Sequence, residues 1–216
     1  MLEALLTQID RIYDLELQVN IEEFLISRET CERLAGESGA SAVLVQQDEQ
    51  REAIQVGVYI GDDALERLKK IDLTSRLSAD NFALLCTAIE EVSHFAYLMW
   101  NAGRGKKVTQ LELELQAEVD KFITSTFLLA RRNRGLVPVD LLDRLFSDFE
   151  LRDGLDRSRR ERYQAASSFA RSYCSTLVRR FLRRAQIEDL VVDVRRFYRL
   201  SQGGKIGHIY RTMYAS

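Results

Sequence analysis

The stretch Phe82–Trp100 constrains this chain more than any other segment. Phe82, Leu85, Cys86, Ile89, Val92, Phe95, Ala96 and Met99 recur at helical spacing, so the segment reads as one long helix with apolar side chains around most of its circumference. A helix of that kind must be covered by other elements. Glu90, Glu91 and His94 interrupt it. Such groups are costly to bury unless they are paired, and two acids with a histidine at its centre also argue against a membrane span.

Other helices are expected around it. Leu2, Leu5, Leu6, Ile9, Ile12 and Tyr13 follow helical spacing. Arg28 to Ala35 forms a short helix with Ser27 as N-cap and Gly36 as stop. Asp62-Asp63 opens a helix to about Lys70. Thr109 and Glu112 form a capping box before a helix to about Arg132. Gly135 and the single proline, Pro138, mark a linker. A short helix over Asp140–Phe149, a long one over about Ser158–Ala185 and another over about Glu188–Leu200 follow. The glycine-rich tail from Gly203 to Tyr210 reads as extended or loose.

The β signal is confined to residues 36–60. Ala42–Gln46 and Ile54–Ile60 are short β-branched runs joined by polar residues, a hairpin pattern. A lone hairpin is marginal, so it needs a helix beneath it or a third strand. Leu15–Ile21 could supply that strand or continue as helix. The expected class is α+β, predominantly α-helical, with a small N-terminal β-hairpin/helix subdomain (1–76) packed on a helical bundle (77–216) as one compact unit.

Glu91 and His94 form E-x-x-H, which places both groups on one helical face. If the next helix runs back antiparallel from a turn near residue 105, the residue level with His94 is about 116, close to Glu114, Glu118 and Lys121. Glu91, His94 and Glu118 are therefore the candidate metal-ligating or acid–base set. A di-iron centre of the bundle type needs a second E-x-x-H, and the chain has only two histidines. The preferred reading is a satisfied network, His94 with Glu118 and Glu91 with Lys121. P-loop, nucleophile-elbow and dinucleotide-binding patterns are missing, and no cofactor is expected. Cys31, Cys86 and Cys174 lie far apart, outside any disulfide or zinc spacing, and Cys86 and Cys174 read as buried apolar residues.

A net charge of −2 hides a division. Residues 1–129 carry 12 Lys/Arg and 23 Asp/Glu, net −11, whereas residues 130–216 carry 19 and 10, net +9. Arg157, Arg159, Arg160 and Arg162 crowd the start of the long helix, and Arg179, Arg180, Arg183 and Arg184 its end. Cations suit a helix C-terminus and oppose an N-terminus, so only the second group has a local explanation. Both groups are candidate contacts for nucleic acid or an acidic partner. The N-terminus lacks a basic region followed by an apolar one, so a cytoplasmic location without membrane attachment is expected. The leading functional expectation is a non-enzymatic interaction or regulatory module that self-associates or binds a protein. A nucleic-acid-binding accessory protein and an enzyme at Glu91, His94 and Glu118 are the alternatives.

Overall fold

The computed structural model describes residues 1–35, 41–48, 53–71, 78–132, 137–146 and 156–214. The fold is α+β and predominantly helical, as the patterning requires. Its helices are α1 (Leu2–Tyr13), α2 (Arg28–Ala35), α3 (Asp62–Lys70), α4 (Ala79–Ala102), α5 (Gln110–Arg132), α6 (Leu141–Phe146), α7 (Arg157–Arg180), α8 (Ile187–Tyr198) and α9 (Gln202–Tyr214); its strands are β1 (Ser41–Asp48) and β2 (Ala53–Ile60). The chain divides into two units. The first is Met1–Asp10 with Glu16–Lys106, and the second is Arg11–Leu15 with Lys107–Ser216.

In the first unit β1 and β2 pair antiparallel, with Ser41 opposite Ile60 and Val45 opposite Val56. Both strands pack against α4. Val58, Tyr59 and Ile60 are all buried, so this part of β2 is covered on both faces. Leu15–Ile21 supplies neither a third strand nor a helix. Asp14 and Glu16 take left-handed backbone conformations (φ 57° and 58°), which interrupt both periodicities. The chain then runs irregularly to a 3₁₀ turn over Ile21–Phe24. What reaches the hairpin instead is an isolated parallel bridge between Leu25 and Val58, in which the Ile26 N–H donates to the Val58 carbonyl (2.9 Å). Gly57 permits this approach: a Cβ there would lie 3.1 Å from the Ile26 side chain. Ser27 caps α2 by accepting from the Thr30 N–H (3.2 Å). The expected stop at Gly36, the loop 49–52, the division at 76/77, the linker at Gly135 and the end of the Asp140–Phe149 helix lie outside the described residues.

Helix α4 belongs to the first unit and runs as expected, capped by Ser78, which accepts from the Asn81 N–H (3.2 Å). Among the described residues it alone is long and apolar enough to cross a membrane, and 61% of its most apolar window is buried within the protein. Cys31 is buried, whereas Cys86 is only half-buried, a correction to its reading as a core residue.

In the second unit α5, α6 and α9 each pack with or beside α7. Helix α7 begins at Arg157 and stops at Arg180, short of the expected Ala185. A 3₁₀ turn over Leu182–Arg184 follows, and Ala185 closes it in a left-handed conformation (φ 53°). The largest departure from expectation is the tail. Gln202–Tyr214 is a helix, not a loose segment. Each glycine in a helix interior is unfavourable by about 1 kcal/mol relative to alanine. Tertiary anchoring overrides that preference here, because Lys205, His208 and Ile209 are buried. The first turn is also tied down. The Gln202 N–H donates to Glu112 Oε2 (3.0 Å), and Thr109 donates from its hydroxyl to the Gln202 side chain (2.5 Å). Thr109 also accepts from the Glu112 N–H (3.1 Å), as the capping pattern at α5 predicts.

Candidate functional site

Glu91 and His94 lie in α4 of the first unit, 4% and 8% exposed. Their i, i+3 spacing brings His94 Nδ1 to 3.7 Å from Glu91 Oε2. The other carboxylate oxygen accepts a hydrogen bond from the Ser41 hydroxyl on β1 (2.6 Å). A serine nucleophile needs the imidazole between hydroxyl and carboxylate, to take the hydroxyl proton. Here the carboxylate lies between the other two groups and accepts the serine hydrogen bond itself. The arrangement holds a buried carboxylate; it does not activate the serine. Glu118 and Lys121 lie in α5 of the second unit and pair with each other across one turn at 2.7 Å.

The second unit holds two polar centres that the sequence patterns do not reveal. Lys205 is fully buried. Its ammonium donates to Gln116 Oε1, to the Phe197 carbonyl (3.0 Å) and to the Tyr198 carbonyl (3.3 Å). An ammonium has three donors, and these are three acceptors. Both carbonyls end α8, where the helix dipole is negative, so Lys205 caps α8 from the following helix. Gln116 passes the contact on, its amide donating to Asp120 Oδ1 (2.8 Å), and the Tyr13 hydroxyl donates to the same oxygen. Tyr13 stacks on Tyr198 with ring centroids 4.3 Å apart. Burial pushes the Lys205 ammonium down to about 7, opposed by the charges of Asp120 and Glu112. Burial also raises the Tyr13 phenol well above its ordinary value, and Asp120 adds to the effect.

The other centre joins Tyr173, Asp193 and His208. Asp193 Oδ1 accepts from the Tyr173 hydroxyl (2.6 Å) and lies 3.2 Å from His208 Nε2. Tyr173 stacks on Phe197 with centroids 4.1 Å apart. Burial pushes the Asp193 carboxyl up, but the hydrogen bonds with His208 and Tyr173 outweigh it, and the net effect lies below the ordinary value. His208 is preceded by no acid at helical spacing; its partner comes from the previous helix.

The arginines separate into distinct environments. Arg157 pairs with Glu161 (2.7 Å), and Arg159 lies 3.5 Å from Asp156, so two cations that oppose the α7 dipole have local acids. Asp156 is also the α7 N-cap and accepts from the Arg159 N–H (2.8 Å). Arg162 is half-buried with its guanidinium 5.5 Å from the centre of the Tyr163 ring, and Arg180 lies 5.1 Å from the centre of the Phe181 ring. Arg160, Arg183 and Arg184 are exposed, and among the described residues none of the three has a side-chain partner.

A groove of about 470 Å³ runs along α7. Arg171, Arg179, Arg183, Ser175, Thr176 and Ser172 supply its polar wall, and Leu142, Val178 and Met213 its apolar one. Arg179 is steadied by a bond from its guanidinium to the Thr176 hydroxyl (3.2 Å). The Ser172 and Thr176 hydroxyls donate to the carbonyls one turn back, at Ser168 (3.0 Å) and Ser172 (3.1 Å). Arg171 is absent from the sequence-derived candidates. Its signal is the four-residue ladder Arg171, Ser175, Arg179, Arg183, which keeps one helical face.

No family model, curated protein or solved structure matches this chain.

Proposed function

We propose that this chain is a non-enzymatic interaction module that self-associates through opposite charge. The first unit carries 9 Lys/Arg against 18 Asp/Glu, net −9, and the second 22 against 15, net +7. The observation that carries the reading is the set of exposed guanidinium groups in the basic unit without partners among the described residues, Arg160, Arg183 and Arg184. Guanidinium forks match carboxylates in bidentate geometry. An acidic face of one copy meeting a basic face of another is a heterologous contact, which closes into a ring or continues as a filament. The donors of Lys205, Tyr13 and Tyr173 meet internal acceptors, which suits structural roles for those buried groups. Light scattering at low salt is expected to give a mass above the monomer that falls as salt rises. Combined Arg160→Glu and Arg184→Glu substitution is expected to give a monomer at low salt. A wild-type chain that is monomeric at every salt and protein concentration refutes the proposal.

Nucleic acid is the second reading, favoured by the same exposed arginines. It is selected if the chain stays monomeric and retains an oligonucleotide with an affinity that falls steeply with salt.

A further inference from the structure

We infer that the groove along α7 is a binding site for a phosphate monoester with an apolar organic part. This inference is independent of self-association. Arg171, Arg179 and Arg183 share one helical face over about 18 Å of chain rise, with the last just beyond the helix end. Arg171 has an acid 3.7 Å away, Asp143, with both side chains more than half exposed. Arg179 and Arg183 have no acid at ion-pair distance among the described residues. Those two therefore supply the anion site, and Arg171 bounds it.

The hydroxyls distinguish donors from acceptors. Ser172 and Thr176 give their protons to backbone carbonyls, and Thr176 accepts from Arg179. Ser175, half-buried in the groove, has no hydrogen-bond acceptor among the described residues and remains able to donate. Two guanidinium groups and one hydroxyl present many donors and little acceptor capacity, which suits a dianion with three terminal oxygens. Leu142, Val178 and Met213 form the apolar side of the same groove. A bare inorganic ion would leave that side uncovered, whereas an aryl or alkyl ester would cover it. The volume exceeds what one phosphate fills and suits a small organic ester.

Titration calorimetry of the full chain with inorganic phosphate, phenyl phosphate and a short single-stranded oligonucleotide tests this. Phenyl phosphate is expected to bind saturably and at least tenfold more tightly than inorganic phosphate. Arg179→Gln and Arg183→Gln are each expected to weaken it tenfold or more. Met213→Gln is expected to remove the advantage of the phenyl ring while leaving phosphate binding unchanged. Both arginines are exposed, so their variants are expected to unfold at the wild-type temperature. Arg183→Gln alone suffices should loss of the Arg179–Thr176 contact disturb α7. Absence of saturable phenyl phosphate binding, unchanged binding in Arg183→Gln, or binding of the oligonucleotide alone overturns the inference. A wild-type chain that self-associates but does not bind phenyl phosphate saturably refutes this site without touching the proposed function.

Discussion

Lys205 gives the second unit a pH dependence opposite to that of an ion-paired lysine. The unfolded chain holds this lysine at its ordinary value of 10.5, and the folded chain lowers it to about 7. Between these values the unfolded state binds more protons, so stability rises with pH. From pH 7 to 8.5 the unfolded lysine stays charged while the folded one becomes largely neutral. At roughly 1.4 kcal/mol per tenfold change, less the fraction already neutral at pH 7, stability gains about 1.5 kcal/mol. Cys174 works the other way. Burial raises its thiol well above 9.0, so its stabilisation begins to be lost only as pH approaches 9.0, where the unfolded thiol ionises. Stopping at pH 8.5 keeps that opposing effect to a few tenths of a kcal/mol. The assay is urea unfolding followed by circular dichroism at both pH values, on the wild type and on Lys205→Met. The wild type is expected to gain stability and the variant to lose the gain. A wild type that is flat or less stable at pH 8.5, or a variant that keeps the rise, refutes the reasoning.

Three further substitutions read individual contacts. Ser41→Ala removes the donor to a buried Glu91 carboxylate and is expected to destabilise by about 1–3 kcal/mol in thermal or urea unfolding. Arg195→Met removes two guanidinium bonds to carbonyls ending α1, at Ile12 (2.8 Å) and Arg11 (3.0 Å), and is expected to lower stability by about 1–2 kcal/mol. Asp193 has its carboxyl held below the ordinary 3.8, so its contribution is complete above that pH and is lost as pH falls through the lower folded value. In Asp193→Asn, acid unfolding is expected to lose that component, and an acid transition identical to wild type counts against the Tyr173–Asp193–His208 contacts.

What could be read in the sequence is what short-range rules govern. Helical spacing located α1, α4 and α5, β-branched runs located the hairpin, and Ser27 and Thr109 announced their helices as caps. The polar interruption at Glu91 and His94 was visible because both groups lie in one apolar helix. Its partner Ser41 was not, because it lies 50 residues away across the hairpin. The α9 helix was illegible for the same reason at larger scale. Gly203 and Gly204 locally disfavour a helix, whereas the acceptor that fixes its first turn, Glu112, is 90 residues upstream. Lys205 belongs to the stretch that reads as extended or loose, because nothing nearby in sequence signals burial; its side-chain acceptor is Gln116, 89 residues away.

Those long-range contacts also refine what the positive charge of the second unit does. Lys205 caps the end of α8. Arg195 and Arg199 cap the end of α1, the latter through the Asp14 carbonyl (3.0 Å). Arg157 and Arg159 have acids within one turn. In each case a cation meets the negative end of a helix or a local carboxylate, so its charge is complemented inside the unit. The arginines left without acids at ion-pair distance among the described residues include Arg160 near the start of α7 and Arg179, Arg183 and Arg184 around its end. Composition alone weighs all of these cations equally. The contacts divide them, and the groups remaining for an external anion concentrate beside the α7 groove. A partner that depends on Arg157 or Arg159 rather than Arg179 or Arg183 would therefore need to break existing ion pairs first.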